Sequence, residues 1–200
     1  MNTPFPIRQD GKFTVEEYLA FIESRPEEER WQLIDGVAMM MPPPTLRHQR
    51  IVSNFARLLN VHLEKVRTDL YAYQEVGLMV PEVANFRPEA DVAILDSSGD
   101  GDDTLFADRF YLVAEVLSDS NTDKDIAAKS RRYLQHPLNL YFLLFEQRRV
   151  WVQVRARAAG WEPIELEGRD DVLVLPEWGF RVPLAALYRG TSLDVSAPQT

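Results

Sequence analysis

Two hundred residues, 46% of them apolar and 26% charged, are enough to close one hydrophobic core of ordinary globular composition. The chain has no cysteine, which excludes a disulfide framework, a thiolate metal site and a cysteine nucleophile. Its net charge of −9 argues against broad nonspecific binding to nucleic acid, since phosphates need a positive field.

Met1 to Asp10 lacks the apolar core of a signal peptide, and no run approaches the roughly 18 apolar residues of a membrane span. A cytoplasmic protein with no membrane contact is the expectation. The pattern divides into an N-terminal extension over 1–12, one domain over 13–190 and a frayed tail over 191–200.

Thr14-Val-Glu-Glu17 fits a capping box and predicts a short helix to about Ser24. Pro26 followed by Glu27, Glu28 and Glu29 suits the first turn of a second one. Trp31 to Met41 reads as two strands around Asp35-Gly36, a strong hairpin signal, and the three prolines 42–44 forbid a helix before Thr45. From Thr45 to Lys65 the period becomes helical: Ile51, Val52, Phe55, Leu58, Leu59, His62 and Leu63 form one stripe, and His48 extends it toward the N-terminus.

Tyr71–Val80 and Ala90–Leu95 read as strands, separated from Phe110 by a polar loop. That loop imitates a calcium loop at Asp96, Ser98, Asp100 and Gly101, but its twelfth position is Ala107, where a bidentate carboxylate is required. Phe110 to Ser118 is an apolar run of the kind buried on both faces of a sheet. A helix from about Lys124 to Gln135 follows, then strands over Leu140–Phe145, Val150–Val154, Trp161–Leu166 and Val172–Leu175, and a last short helix over Pro183–Tyr188. The order specifies an α/β (α+β) domain around one mixed sheet.

Glu115 is the anomaly within that buried run. Both of its faces are apolar, so the carboxylate cannot simply turn to water, and a buried charge must be paired, protonated or bound to a metal. A register that sets Leu95 against Tyr111 sets Asp91 against Glu115, roughly 4.5–5.5 Å apart on one face. Two like charges at that distance call for a divalent cation, and oxygen-only ligands suit Mg²⁺ or Mn²⁺. On the following helix Lys129 falls on the apolar stripe of Ile126, Tyr133 and Leu134. Its stem snorkels along that stripe, or it pairs with Asp125 one turn earlier, or its ammonium joins the carboxylates.

The order Leu-Ile-Asp-Gly, Met-Pro-Pro-Pro-Thr-Leu-Arg-His-Gln, Ala-Asp-Val-Ala-Ile-Leu and Val-Ala-Glu-Val-Leu-Ser, then a helix with Lys and Tyr, resembles the Uma-type restriction endonuclease family, a branch of the PD-(D/E)xK nucleases. The resemblance covers about residues 13 to 190 and includes the closing Leu-Pro-Glu-Trp-Gly-Phe. It implies a restriction-endonuclease-like core, a mixed sheet flanked by helices, and Mg²⁺-dependent hydrolysis of nucleic-acid phosphodiesters, with DNA as the expected partner. By position Asp91 and Glu115 would be the motif carboxylates, with the Val116 carbonyl as a further metal ligand. Lys129 would be the motif lysine, displaced to the helix from the strand position that Leu117 occupies. Arg47, His48 and Gln49 would contact substrate. The family carries acidic residues in the hairpin where this chain has Gln32 and Val37, which weakens the case for a second metal. A catalytically degenerate accessory module is the competing reading. Trp151, Trp161 and Trp178 in the C-terminal half suggest an aromatic self-association surface and a homodimer.

Overall fold

The computed structural model describes residues 11–81, 83–97, 104–118 and 123–194. Thr14 caps α1 (Val15–Glu23) in the expected capping box, its hydroxyl accepting the Glu17 N–H while the Glu17 carboxylate accepts that of Thr14. The helix expected from Pro26 does not form. Arg30 already enters the next strand, and the intervening residues make one turn, closed by the Glu29 N–H on the Pro26 carbonyl. Four residues are too few to nucleate a helix.

Strands β1 (Arg30–Ile34) and β2 (Val37–Met41) form the predicted hairpin. Asp35 and Gly36 both take positive φ, 48° and 86°, as a two-residue turn of the primed kind requires. Thr45 caps α2 (Leu46–Val66), whose buried stripe includes Ile51, Val52, Phe55, Leu59 and Leu63.

The main sheet comprises β3 (Leu70–Gly77), β4 (Glu89–Asp96), β5 (Phe110–Val116), β6 (Tyr141–Phe145), β7 (Trp151–Ala156) and β8 (Pro163–Glu167), side by side in that order. All neighbours are antiparallel except β5 and β6, which are joined by α3 (Asp123–Gln135). Parallel neighbours need such a crossover, and it lays α3 on one face of the sheet. Strand β3 stops earlier than expected, at Gly77, because the chain from Leu105 crosses there. A Cβ on Gly77 would collide with the Leu105 carbonyl oxygen.

One face of the sheet packs on α2 and on a C-terminal unit of β9 (Val172–Leu175), β10 (Phe180–Pro183) and α4 (Leu184–Leu187), burying Phe55, Phe145, Trp178 and Tyr188. The other packs on α3 and the β1–β2 hairpin, burying Ile34, Phe86, Phe110 and Tyr133. Strand β10 escaped the sequence pattern, since Phe180-Arg-Val-Pro is too short for its alternation to stand out. The three tryptophans do not make a surface: Trp151 and Trp178 are buried in the two cores, and Trp161 is half-buried beneath the Arg157 guanidinium.

The chain past Gly190 is also more ordered than expected as far as residue 194. Arg169 donates to the Leu193 carbonyl and the Asp194 carboxylate, and Thr191 is buried. Residues 1–10, 82, 98–103 (which include Ser98, Asp100 and Gly101 of the calcium-like stretch), 119–122 and 195–200 lie outside the described residues. Among the described residues no helix is long and apolar enough to cross a membrane.

Candidate active site

The site lies where three strands lose their pairing. Strand β3 pairs with β4 at Gln74–Val92 and again at Val76–Ala90, skipping Glu75 and Asp91. Strand β4 pairs with β5 as far as Val92–Ala114 and no further toward Glu115. The register of Val92, Ala93 and Ile94 is the expected one. The far end departs from it, with Leu95 facing Phe110 instead of Tyr111 across an irregularity. Three carboxylates, Glu75, Asp91 and Glu115, therefore stand in a row across adjacent strands where the ladder opens. Glu75 reaches its place with φ at 51°, a left-handed conformation that a non-glycine residue adopts at a cost of about 1–3 kcal/mol.

Asp91 uses its carboxylate where a backbone acceptor would stand in a regular ladder. Its Oδ2 accepts the Val116 N–H at 2.6 Å, and lies 3.2 Å from His48 Nε2. His48 comes from the first turn of α2, fixed there because its own N–H donates to the capping Thr45 hydroxyl at 3.1 Å. The Thr45 hydroxyl donates in turn to Gln147 Oε1, and Gln147 Nε2 donates to the Leu117 carbonyl at 2.6 Å. Arg47 donates to the Gln147 carbonyl at 2.9 Å. Gln147 thus ties the start of α2 to the end of β5. Only the polar turn after a buried strand hinted at it in the sequence.

Glu115 is 5% exposed and Lys129 4%. Lys129 Nζ donates to Glu115 Oε1 at 3.0 Å, to Oε2 at 3.2 Å and to the Glu89 carbonyl at 3.1 Å. Tyr133, one helical turn further along α3, adds its hydroxyl to Glu115 Oε1 at 3.0 Å. The ammonium is interior, so Lys129 does not snorkel to water. Tyr133 was predicted only as a stripe residue. Its spacing of four from Lys129 places both over the same carboxylate.

Burial is the largest influence on Glu115 and, with the nearby charge of Asp91, pushes its pKa up to about 7 against the opposing pull of Lys129 and Tyr133. Burial and the neighbouring Glu115 hold the Tyr133 hydroxyl well above its ordinary range, so it stays a donor. For His48, burial works against the cation. The hydrogen bond and charge of Asp91, with Glu115 and Glu75 beyond, outweigh it and raise the imidazole above its ordinary value.

Apart from Tyr133, which lies behind Glu115, the titrating groups line one cavity of about 660 Å³ between the β1–β2 hairpin, the start of α2 and the open ends of β4 and β5. Asp91, Glu115, Val116, Lys129, Arg47 and His48 all contribute to its wall. Gln49 does not. Its amide donates to Glu75 Oε1 at 2.6 Å, and Glu75 is a wall residue also paired with Arg30 at 3.2 Å. Arg30 bridges from Glu75 to Glu89, and sequence reasoning missed all three. Gln32 is 7% exposed on the same wall, and its Oε1 has no hydrogen-bond partner among the described residues.

Among the described residues no cage of three or more His, Asp or Glu side chains surrounds a common point. The donor chemistry nonetheless suits a hard divalent cation. Asp91 and Glu115 both line one cavity, and Mg²⁺ binds through one or two carboxylates while keeping several waters.

A six-stranded mixed sheet flanked by helices, with a carboxylate–carboxylate–lysine site where its central strands diverge, defines a protein of the restriction-endonuclease-like fold. A crystal structure from Anabaena variabilis ATCC 29413, described as a "putative nuclease belonging to DUF820", has a similar fold, with a TM-score of 0.70 and 16% identity over 88% of this chain and 97% of that one. The sequence profile of the Uma2 family, described as "Putative restriction endonuclease", matches residues 15–185. The chain belongs to that family. No functionally curated protein matches it.

Proposed function

We propose that this protein is a metal-dependent endonuclease that hydrolyses phosphodiester bonds of nucleic acid, DNA first among them, in the cytoplasm. The observation that carries the proposal is the buried Glu115–Lys129 pair on the wall of the same cavity as Asp91. A stabilising ion pair does not need to face a cavity, and burying one rarely adds stability over apolar packing. Asp91 and Glu115, with the Val116 carbonyl, would hold Mg²⁺ or Mn²⁺. When bound, such an ion polarises a phosphoryl oxygen and lowers the pKa of water.

The chain's own residues do the remaining work. Lys129 supplies a fixed positive charge to the phosphate in a water-poor setting, where it stabilises developing charge most. Tyr133, held protonated, keeps Glu115 oriented. His48 does the same for Asp91 and, with Arg47, contacts the incoming strand, while Gln49 acts at the rim through Glu75.

The second reading, a degenerate accessory module, draws on Gln32, a neutral residue at an acidic position. The proposed assembly in either case is a homodimer. The unpaired sheet edge at β8, where Ile164 is exposed, offers such a dimer a surface that the buried tryptophans do not.

Purified protein should cut labelled oligonucleotides only when Mg²⁺ or Mn²⁺ is supplied, and Asp91→Asn should not cut at any metal concentration. Absence of cleavage of every nucleic-acid form by the parent would favour the accessory module.

A further inference from the structure

Carboxylates outnumber lysines and arginines by 31 to 22 in this chain, yet two stretches reverse the balance. Residues 45–63, most of α2, contain Arg47, Arg50 and Arg57, and residues 187–193 contain Arg189; neither stretch has an aspartate or a glutamate. The fold lays one against the other. Asn54, buried midway along α2, donates its amide to the Leu187 and Arg189 carbonyls at 2.9 and 2.8 Å. One turn earlier the Arg50 guanidinium lies against Gly190. Arg50, Arg57 and Arg189 are exposed, and Arg47 joins this strip to the cavity wall. From this arrangement, and resting on the nuclease reading above, we propose that Arg50, Arg57 and Arg189 form a track for the nucleic-acid backbone, holding phosphates that flank the one in the cavity.

Dimensions and local sign carry the proposal. A helix rises about 1.5 Å per residue, so Arg47 to Arg57 covers about 15 Å. One strand of a duplex sets a phosphate every 3.4 Å or so of axis, and about four of them pass over that length. Arg50 and Arg57, seven residues apart, return to the same side of α2 after two turns. The guanidinium fork suits phosphate oxygens better than a point charge does.

Two carboxylates approach the strip, and each is held by its own neighbours. Asp194 accepts the Gly190 N–H at 3.0 Å and pairs with Arg169 at 2.9 Å. The Glu146 carboxylate accepts the N–H groups of Gln147 and Arg148 within its own turn. The net charge of −9 therefore belongs to the remaining surface, and phosphate is drawn to the strip of opposite sign.

The test is fluorescence anisotropy of a labelled DNA duplex of mixed sequence, titrated with the whole chain at several potassium chloride concentrations. Ca²⁺ is included, as a divalent charge that oxygen ligands accept. Each phosphate contact adds about 0.9 to the slope of log K against log salt. Arg50→Ala/Arg57→Ala/Arg189→Ala should lower that slope by about 2.7 and weaken binding at least tenfold at moderate salt. The corresponding triple lysine variant, which keeps the charges, should restore most of both. Arg131→Ala, exposed on α3 across the sheet, should change neither. An unchanged slope in the triple alanine variant overturns the proposal, and so does failure of the parent to bind the duplex. Loss of self-association in light scattering, with duplex binding intact, would assign the strip to a second copy and overturn it too. Arginine-dependent binding by a protein unable to cut with Mg²⁺ or Mn²⁺ would remove the nuclease reading and leave the track standing.

Discussion

The pair of strands β4 and β5 carries an ion pair at each end, and the two could hardly be used more differently. At the outer end Asp96 accepts Arg109 Nε at 2.7 Å and the Tyr111 hydroxyl at 3.0 Å, with the arginine side chain 54% exposed. At the inner end Lys129 meets Glu115 at 3.0 Å with both side chains buried. Distance and chemical type are nearly the same; the surroundings are not. Water and salt screen the outer pair to near irrelevance. At the inner pair each partner is the other's main compensation for lost hydration, so removing one strands the other. A pair of that kind adds little to stability relative to an apolar core. Its place on a cavity wall is therefore better explained by use than by packing.

Breaking the inner pair should have the largest effect. Lys129→Met keeps the stem and removes the charge, and should lower any cleavage rate by about 10²–10³. It also leaves the buried Glu115 carboxylate without its cation. At pH 8 unfolding should become easier by about 3–5 kcal/mol in urea titrations, with much of the loss recovered in Lys129→Met/Glu115→Gln. Leu117→Lys in the Lys129→Met background returns a cation to the face of Glu115 from the strand. Partial recovery of cleavage there would tie the rate to the charge. An unchanged rate in Lys129→Met would refute the assignment.

The pH dependence of stability sharpens the same contrast. An unfolded Glu ionises near 4.5, whereas folded Glu115 does so at about 7, so between those values the native state holds the extra proton. The stability from this group is complete below about 4.5 and is lost as pH rises through about 7. His48, raised above 6.5, acts in the same direction: its contribution is complete below 6.5 and falls away above its folded value. Tm should therefore decline by several degrees between pH 5 and pH 8.5, and Glu115→Gln should flatten the lower part of that slope. A Tm that instead climbs across this range in the parent would contradict the environment assigned to Glu115.

A divalent ion should reverse part of that loss. At a concentration 100-fold above its dissociation constant it adds about 2.7 kcal/mol by mass action. Calorimetry should then show Tm rising with added Mg²⁺ or Mn²⁺, most clearly at high pH, and not rising in Asp91→Asn. The smallest effect belongs to the outer pair: Asp96→Asn should keep Tm within about 2 °C of the parent at moderate salt. A larger shift there would mean that burial is not what separates the two ends.

Much of this protein was legible in its residues because those signals are local. The capping box at Thr14, the Asp35-Gly36 turn, the stripe of α2 and the doubly apolar β5 each depend on neighbours a few positions away. Glu115 also announced itself, since a carboxylate amid a buried run has few innocent explanations. An antiparallel register then led from Glu115 to Asp91; it holds at Val92, Ala93 and Ile94, although the pair that anchored it, Leu95 with Tyr111, does not form. What remained hidden is what contacts distant in sequence decide. Gln147 caps a network begun by Thr45, Arg30 spans Glu75 and Glu89 across separate strands, and β4 yields its ladder at the very residue that faces Glu115. Whether Lys129 snorkels or turns inward was open in the sequence, because a helical stripe specifies a direction and not a destination. Only the packing of α3 over β5 supplied the carboxylate, the tyrosine and the loss of water that hold the ammonium inside.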